Sequence, residues 1–215
     1  THRDISDIIE VMVAAGVMPL SCGGDHSVSL PIMRAIATQP MAFIHIDAHT
    51  DTWDSFQGSK FNHGAPFRRA HEEGLIDSTK TVQIGIRGAQ NVSEGWDYSE
   101  AAGMRVMFVE EVQKRGVDAI IEETRNIVGN TPVYMSFDID SIDPAFAPGT
   151  GTPEIAGLTT PEAMALIRGF RNLNYVGADM VEVSPPFDVG GLTSLTGATV
   201  MYELLCLLAE AVSAR

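Results

Sequence analysis

Short, almost continuously apolar segments alternate along this chain with segments of helical periodicity, and this alternation constrains the fold more than any other feature. Strands are predicted near 18–24 and over 41–47, 81–88, 105–110, 132–140 and 175–183. Helices are predicted over 4–15, 27–38, 64–73, 111–128, 160–170 and 196–214. Strands that are apolar on both faces are typical of a parallel sheet covered by helices on each side. The sequence therefore predicts a three-layer α/β fold with a mostly parallel sheet flanked by helices.

The chain is predicted to form a single domain over 1–215. No linker rich in Ser, Pro or Gly, no block of charge and no internal repeat divides its 215 residues, and one domain with its own apolar core can have this length. Because the chain starts at Thr1 without a methionine, a segment upstream is expected to be missing. The longest apolar runs, such as LLCLLA at 204–209, are shorter than the ~18 residues that span a bilayer, so no membrane association is predicted.

Acidic residues outnumber basic ones, with 28 Asp and Glu against 14 Lys and Arg and a formal net charge of −14. A field of this sign repels the phosphates of nucleic acid, so nucleic acid is not an expected partner. The same field attracts cations such as metal ions and guanidinium compounds, although on charge alone a solubilising acidic surface is the simpler explanation. Cys22 and Cys206 form no paired motif and are expected to be buried thiols in a reducing, cytoplasmic compartment.

Three polar, acidic segments each directly follow a predicted strand. These segments are GGDHS at 23–27, DAHTD at 47–51 and DIDSID at 138–143. The carboxyl ends of parallel strands meet at one edge of a sheet, where ligands bind, so we expect the three segments to lie close together. A single carboxylate in such a place is ordinarily a helix cap, and this interpretation is kept for Asp25 and Asp143.

Six side chains of these segments are predicted to bind metal ions: His26, Asp47, His49, Asp51, Asp138 and Asp140. Residues two apart in an extended chain point the same way, and four converging carboxylates would repel one another without a cation. A set of His and Asp without Cys favours a hard or borderline ion, with Mn²⁺ as the leading candidate. Six ligands suit two ions bridged by carboxylates, an arrangement that lowers the pKa of a shared water.

These segments resemble those of the ureohydrolase family, which includes arginases and agmatinases. The resemblance rests on GGDHS, IDAHTD and SFDIDSIDP in family order, and flanking stretches extend it over essentially the whole chain: HGAPFRRA at 63–70, QIGIRG at 83–88, APGTGTPE at 147–154 and ADMVEV at 178–183. It implies an arginase-like catalytic domain, N-terminally truncated, with two Mn²⁺ per subunit, that hydrolyses a guanidino group to urea and an amine. It also implies a homo-oligomer, a trimer or hexamer.

The resemblance assigns roles to individual side chains. The first ion would be held by His26, Asp47, Asp51 and Asp138, and the second by Asp47, His49, Asp138 and Asp140. His63 would shuttle protons near the leaving group, and Glu182 would bind the guanidinium of a small cationic substrate. A carboxylate is a suitable partner for a planar guanidinium because both can form two parallel hydrogen bonds.

The segment at 52–62, TWDSFQGSKFN, departs from the arginase pattern, whereas HGAPFRRA resembles agmatinases and hydrolases of guanidino acids. Agmatine carries a second cation that would suit Asp54 and the overall negative charge. A guanidino acid would instead need a cation such as Lys60 or Arg68. The sequence favours agmatine, hydrolysed to putrescine and urea, with guanidinobutyrase, guanidinopropionase or arginase-type activity as the alternatives.

Functions from two other classes are kept as alternatives. A two-metal phosphoesterase would need a GNH[DE]-type segment and later GH-x-H ligands, and the sequence contains neither. A non-catalytic homologue that binds guanidines or polyamines would have no need of His63 and Glu182. Trp53 and Phe56 are expected either to line the substrate pocket or only to pack the loop. His45 is expected to be a core residue, or one that supports a metal ligand, rather than a ligand itself.

Overall fold

The computed structural model describes residues 2–89 and 94–214, which form six strands and eight α-helices in alternation. The strands are β1 Leu20–Cys22, β2 Met41–Ile46, β3 Ile76–Ile86, β4 Arg105–Phe108, β5 Val133–Asp138 and β6 Tyr175–Val181. The helices are α1 His2–Ala14, α2 Ser29–Ile36, α3 Pro66–Glu72, α4 Glu94–Ala101, α5 Val109–Arg115, α6 Val117–Val128, α7 Thr160–Gly169 and α8 Leu192–Ser213.

The six described strands form one parallel sheet in the order β1-β6-β5-β2-β3-β4. In the centre of the sheet, Ile44 of β2 pairs with Met135 of β5 on one side and with Val82 of β3 on the other. Strands β1, β6, β5 and β2 are therefore neighbours, and their carboxyl ends lie side by side. The three acidic segments follow three of these four strands.

Successive residues of the central strands pack on opposite faces of the sheet. Ile44 packs in an apolar cluster with α6, α7 and α8, whereas Phe43 packs in a second cluster with α1, α2 and α3. Both side chains are fully buried. Since helices cover both faces, β2 and β5 are buried at every position, as the continuous apolar runs predict. The predicted three-layer α/β architecture is confirmed.

Some local predictions are wrong. The helix predicted over 111–128 is two helices, because Gly116 has a φ of 80° and ends α5 before α6 begins. Helix α4 is not predicted, since its sequence has no apolar stripe at helical spacing. The expected burial of both thiols is also wrong, because Cys22 is exposed at the end of β1 and Cys206 is half-buried on α8.

Helix α8 is the one described helix whose length and composition would allow it to span a membrane. In this structure its buried side chains, such as Val200 and Leu204, belong to the apolar cluster beneath the sheet. Its N-terminus is held by Asp188, which accepts hydrogen bonds of 2.9 Å from the backbone N–H groups of Thr193 and Ser194. The absence of membrane association stays a prediction.

Candidate metal centre

The three acidic segments lie together at the carboxyl edge of the sheet. GGDHS follows β1, DAHTD follows β2 and DIDSID includes the end of β5, while Glu182 follows the end of β6 between β1 and β5. The structure brings all six side chains of the predicted ligand set into two adjoining groups.

The first group surrounds the imidazole of His26. Its Nδ1 atom lies 3.2 Å from Asp47 Oδ2, 2.9 Å from Asp51 Oδ2 and 3.1 Å from Asp138 Oδ2. His26 is 1% exposed, and among the residues that the structure describes its Nδ1 has no partner with hydrogen-bond geometry. Buried polar atoms are normally hydrogen-bonded. A nitrogen that converges with three carboxylates without bonding to any of them is placed as a metal ligand would be.

The second group surrounds His49. Its Nδ1 lies 3.1 Å from Asp140 Oδ2 and 3.5 Å from Asp47 Oδ1. Asp47 therefore turns one carboxylate oxygen to each group, which is the arrangement of a bridging ligand. The Oδ1 atoms of both carboxylates accept a backbone N–H, Asp47 from His49 at 2.6 Å and Asp138 from Asp140 at 2.8 Å. Asp138 differs from Asp47 because, among the described residues, its carboxylate pairs with His26 and not with His49. In this structure Asp138 contacts only the His26 group.

The electrostatics of the two groups also fit bound cations. Burial raises the pKa of Asp138 well above its ordinary value, and the charges of Asp140 and Asp47 reinforce the shift. Burial lowers the pKa of His49, but the carboxylates beside it outweigh this effect and raise the pKa to about 12. Protons thus compensate the buried negative charge, and divalent cations would replace them, as is usual when metals bind His and carboxylates.

His45 lies beside the first group but is not placed as a ligand. Its Nε2 lies 2.6 Å from Asp47 Oδ2, and its Nδ1 lies 3.0 Å from the side-chain nitrogen of Gln83. That amide nitrogen also donates to the carbonyl of Thr50 at 2.7 Å. Both ring nitrogens of His45 are therefore occupied by protein groups, and the residue orients Asp47, in agreement with its expected place in the core.

An open cavity of about 130 Å³ lies over the two groups, and both His63 and Glu182 line it. Trp53 forms part of its wall, and its indole packs on Gly64, where a Cβ atom would come within 2.6 Å of the ring. Phe56 packs behind this wall, with ring centroids 5.6 Å from Trp53 and 5.8 Å from His63. Trp53 thus lines the pocket, and Phe56 packs the loop.

Glu182 has an unusual backbone. Its φ is 67°, and that of Asp51 is 51°, a region that residues other than glycine seldom occupy and that recurs at functional sites. The Glu182 carboxylate accepts a hydrogen bond of 2.6 Å from the backbone N–H of His26. Burial raises the pKa of Glu182 to about 7. The carboxylate would gain most from a cation placed in the cavity.

Two further side chains of the cavity wall were not predicted. Glu154 approaches the second group, with Oε1 3.9 Å from His49 Nε2, and its carboxylate occupies space that Gly88 leaves open. Thr152 donates to Asp140 Oδ2 at 3.1 Å. Both residues lie in the motif APGTGTPE. The polar, acidic end of this Gly- and Pro-rich loop is the sequence feature that could have identified them as cavity residues.

The structure does not support the expected recognition of the far end of the substrate by loop charges. Asp54 forms ion pairs with Arg69 at 3.0 Å and with Arg68 and Lys60 at 3.6 Å. Neither Asp54 nor these cations line the cavity. Their charges compensate one another in the loop, whereas the Glu154 side chain lines the cavity.

Comparison with known proteins adds independent information. The Arginase family profile matches residues 1–207. Guanidinopropionase from Pseudomonas aeruginosa is 55% identical over 97% of this chain and 66% of its own length. The mitochondrial agmatinase of Gallus gallus is 49% identical over 96% of this chain and 61% of its own length. Among solved structures, proclavaminate amidino hydrolase from Streptomyces clavuligerus has a TM-score of 0.92 at 42% identity, covering 96% of this chain and 69% of that one. The chain thus spans 61% to 66% of the length of these two curated relatives.

Proposed function

The chain belongs to the arginase family, and on this premise we propose that it is a metal-dependent hydrolase that cleaves a guanidino group to urea and an amine. The observation that carries the proposal is the buried Nδ1 of His26, which faces three carboxylates without a hydrogen bond. This nitrogen lies beneath the cavity that Glu182 and His63 line.

The donor set fits two divalent cations, and oxygen-rich ligands with two imidazoles favour Mn²⁺. We assign the first ion to His26, Asp47, Asp51 and Asp138, and the second to Asp47, His49, Asp138 and Asp140. Asp47 is the bridging ligand that the geometry supports best. When bound, two such cations supply Lewis acidity and a water of lowered pKa at neutral pH.

The remaining side chains of the cavity handle the substrate. The Glu182 carboxylate is held by the N–H of His26 and binds the planar guanidinium through charge-assisted hydrogen bonds. His63 stands at the rim, three residues before α3, and exchanges a proton with the departing amine. The indole of Trp53 covers the methylene chain of the substrate and keeps water from it.

Agmatine is the substrate that the charges of the cavity favour. Two carboxylates of its wall, Glu154 and Glu182, lie outside the proposed ligand set, and no Lys or Arg lines it within the part of the chain that the structure describes. A substrate with a cation at each end fits this arrangement. The second candidate is a guanidino acid, because the 55% identical relative is named a guanidinopropionase.

Urea release from the Mn²⁺-loaded protein tests the proposal, with agmatine, guanidinopropionate, guanidinobutyrate and arginine as substrates. We expect the highest kcat/KM with agmatine. A higher value with a guanidino acid would overturn the choice of substrate but not the reaction. Full metal occupancy without urea from any of the four compounds would overturn the hydrolase and favour a non-catalytic binding protein.

A further inference from the structure

A buried carboxylate lies behind the metal centre, on the side of His26 that faces away from the cavity. Asp179 of β6 is fully buried and accepts three hydrogen bonds, all from hydroxyl groups. Ser136 Oγ donates to Oδ1 at 2.5 Å, while Tyr134 Oη and Ser29 Oγ donate to Oδ2 at 2.5 Å and 2.6 Å. Within residues 2–89 and 94–214, no Lys or Arg pairs with Asp179. A carboxylate buried among hydroxyls, without a cation beside it, is costly, so its position calls for a role.

The hydrogen bonds of Ser136 fix the proton on His26. A hydroxyl has one proton to donate, and Ser136 directs it to Asp179. Its Oγ must then accept the hydrogen bond from His26 Nε2, which lies 2.7 Å away. Nε2 therefore carries a proton, and Nδ1 is the ring nitrogen left to bind a cation. This is the atom that faces the three carboxylates of the first group.

With Asp179 as the acceptor, the same contacts disfavour the opposite arrangement. If Ser136 donated to His26, its oxygen and Asp179 Oδ1 would face each other at 2.5 Å without a proton between them. Tyr134 cannot relieve this, because burial and the neighbouring carboxylate raise its pKa, so the phenol remains a donor to Oδ2. All three hydroxyls thus point their protons at Asp179.

We propose that Asp179 is a positioning residue of the metal centre, which acts through Ser136 to hold His26 in the tautomer and ring orientation that present Nδ1 to a cation. The inference rests on the proposed function, since it takes His26 to be a ligand. The negative charge of Asp179 polarises the imidazole through the hydrogen-bonded chain and strengthens its bond to the ion, as carboxylates behind metal-bound histidines do.

Metal affinity in three single variants tests this role. Asp179→Asn removes the charge, Ser136→Ala removes the link, and Tyr134→Phe is the matched control, because it removes a hydroxyl from Asp179 but leaves the link to His26 intact. We expect the first two to bind one of the two Mn²⁺ ions about 10–100-fold more weakly. Equilibrium dialysis measures the affinity. The electron paramagnetic resonance spectrum should change from that of a coupled ion pair to that of a single ion.

The double variant Asp179→Asn/Ser136→Ala separates a chain of contacts from general loosening. Once Ser136 has lost its hydroxyl, Asp179 no longer reaches His26, so the double variant should bind metal no more weakly than Ser136→Ala alone. Tyr134→Phe should bind both ions as wild type does. Equal weakening in Tyr134→Phe, or additive losses in the double variant, would overturn the proposal.

The outcomes also separate this inference from the proposed function. A wild-type protein that binds no Mn²⁺ would overturn the metal centre itself. A wild-type protein that binds two ions, with Ser136→Ala unchanged in affinity and spectrum, would overturn only the positioning role. Ser136→Ala decides the matter alone if Asp179→Asn does not fold.

Discussion

At the scale of single residues, the side chains around the cavity fall into two sets. One set would bind the metal ions, and the other would bind the substrate or transfer its protons. The six proposed ligands contact one another in the two groups, whereas the ring of His63 packs against Phe56. Glu182 is intermediate, since it lines the cavity but is anchored to the backbone of His26. Substitutions should therefore divide into those that remove metal and those that spare it.

Replacing His63 should slow turnover without removing metal. We expect His63→Asn to lower kcat by about 10²–10⁴-fold, the usual contribution of a positioned proton donor or acceptor. Its Mn²⁺ content, measured by mass spectrometry, should match wild type. The matched control is Asp138→Asn, which removes a buried ligand charge and should lose metal and activity together. A fully metallated His63→Asn enzyme with wild-type turnover would exclude His63 from the reaction.

Removing the charge of Glu182 should weaken the use of guanidines. Glu182→Gln keeps an oxygen that can accept the N–H of His26, so the local backbone should stay in place. The loss of a hydrogen bond between charged groups predicts a kcat/KM for agmatine that is lower by about 10–100-fold, with unchanged metal content. Binding of an uncharged ureido analogue should change little. An unaltered kcat/KM would place the guanidinium elsewhere in the cavity.

The proposed ligands could be selected from the sequence because they alternate in short acidic segments directly after apolar strands. Asp179 could not, since it lies inside the apolar strand β6 and two of its partners, Ser136 and Ser29, are 43 and 150 residues away. The pairing of β5 with β6 places Ser136 opposite Asp179, and the packing of α2 against β6 brings Ser29 to it. The role of Glu154 likewise depends on the path of its loop over Gly88.

At the scale of secondary-structure elements, helices α5 and α6 are joined to the edge strand β4 by a network of charges. Arg105 of β4 donates to Glu123 of α6 at 2.7 Å and also to Glu111 of α5. Arg115 pairs with the same two carboxylates at 2.5 Å and 2.6 Å. The chain breaks between the two helices at Gly116, so α5 and α6 reach Arg105 from different directions. The continuous helical periodicity of 111–128 does not indicate this break.

This network predicts a pH-dependent contribution to stability. Hydrogen bonding to Arg105 lowers the pKa of Glu111; burial would raise that of Glu123, but Arg105 and Arg115 outweigh it and lower that pKa too. Because both pKa values are lower in the folded state, the stabilisation is complete above the ordinary pKa of about 4.5 and is lost as the pH falls below it.

Arg105→Gln should therefore lower the Tm near neutral pH by about 2–4 °C, the shift for roughly 1 kcal/mol in a chain of this size. The difference from wild type should shrink when the pH is lowered toward about 3. The matched control is Arg168→Gln, which breaks an exposed pair with Glu203 between α7 and α8 and should change the Tm less. A Tm difference that is independent of pH would assign the role of Arg105 to packing.

The sheet was the most predictable part of the fold. Strands such as β2 and β5 are buried on both faces, and their continuous apolar sequences predict this burial. The order of the strands was not predictable, because central strands such as β2 and β5 are apolar at both faces and would fit several neighbours. The register that places β5 between β2 and β6 depends on contacts between residues far apart in the chain.

At the scale of the whole molecule, the net charge of −14 has the same sign as the carboxylates of the cavity, so both attract cations. Two divalent cations would offset only part of this charge. A strongly negative protein with a negative cavity raises the local concentration of cationic substrates and repels anionic ones.

The exposed apolar side chains of α8, such as Leu195, Tyr202 and Val212, would suit a contact between subunits. The homo-oligomer and the cytoplasmic location stay predictions.

Ionic strength should therefore distinguish the two candidate substrates. The screening length falls from about 30 Å at 0.01 M salt to about 3 Å at 1 M, so added salt weakens long-range attraction while leaving contacts inside the buried site nearly unchanged. We expect the kcat/KM for agmatine to fall as salt is added and that for guanidinobutyrate to rise or stay constant, with kcat for each nearly constant.

The two compounds share the guanidino group and differ in the charge of the far end, so each serves as the control for the other. A salt whose anion does not coordinate metal avoids competition at the metal ions. If both kcat/KM values fell in parallel, the salt would be acting on the protein itself, and the negative field would have no part in selecting the substrate.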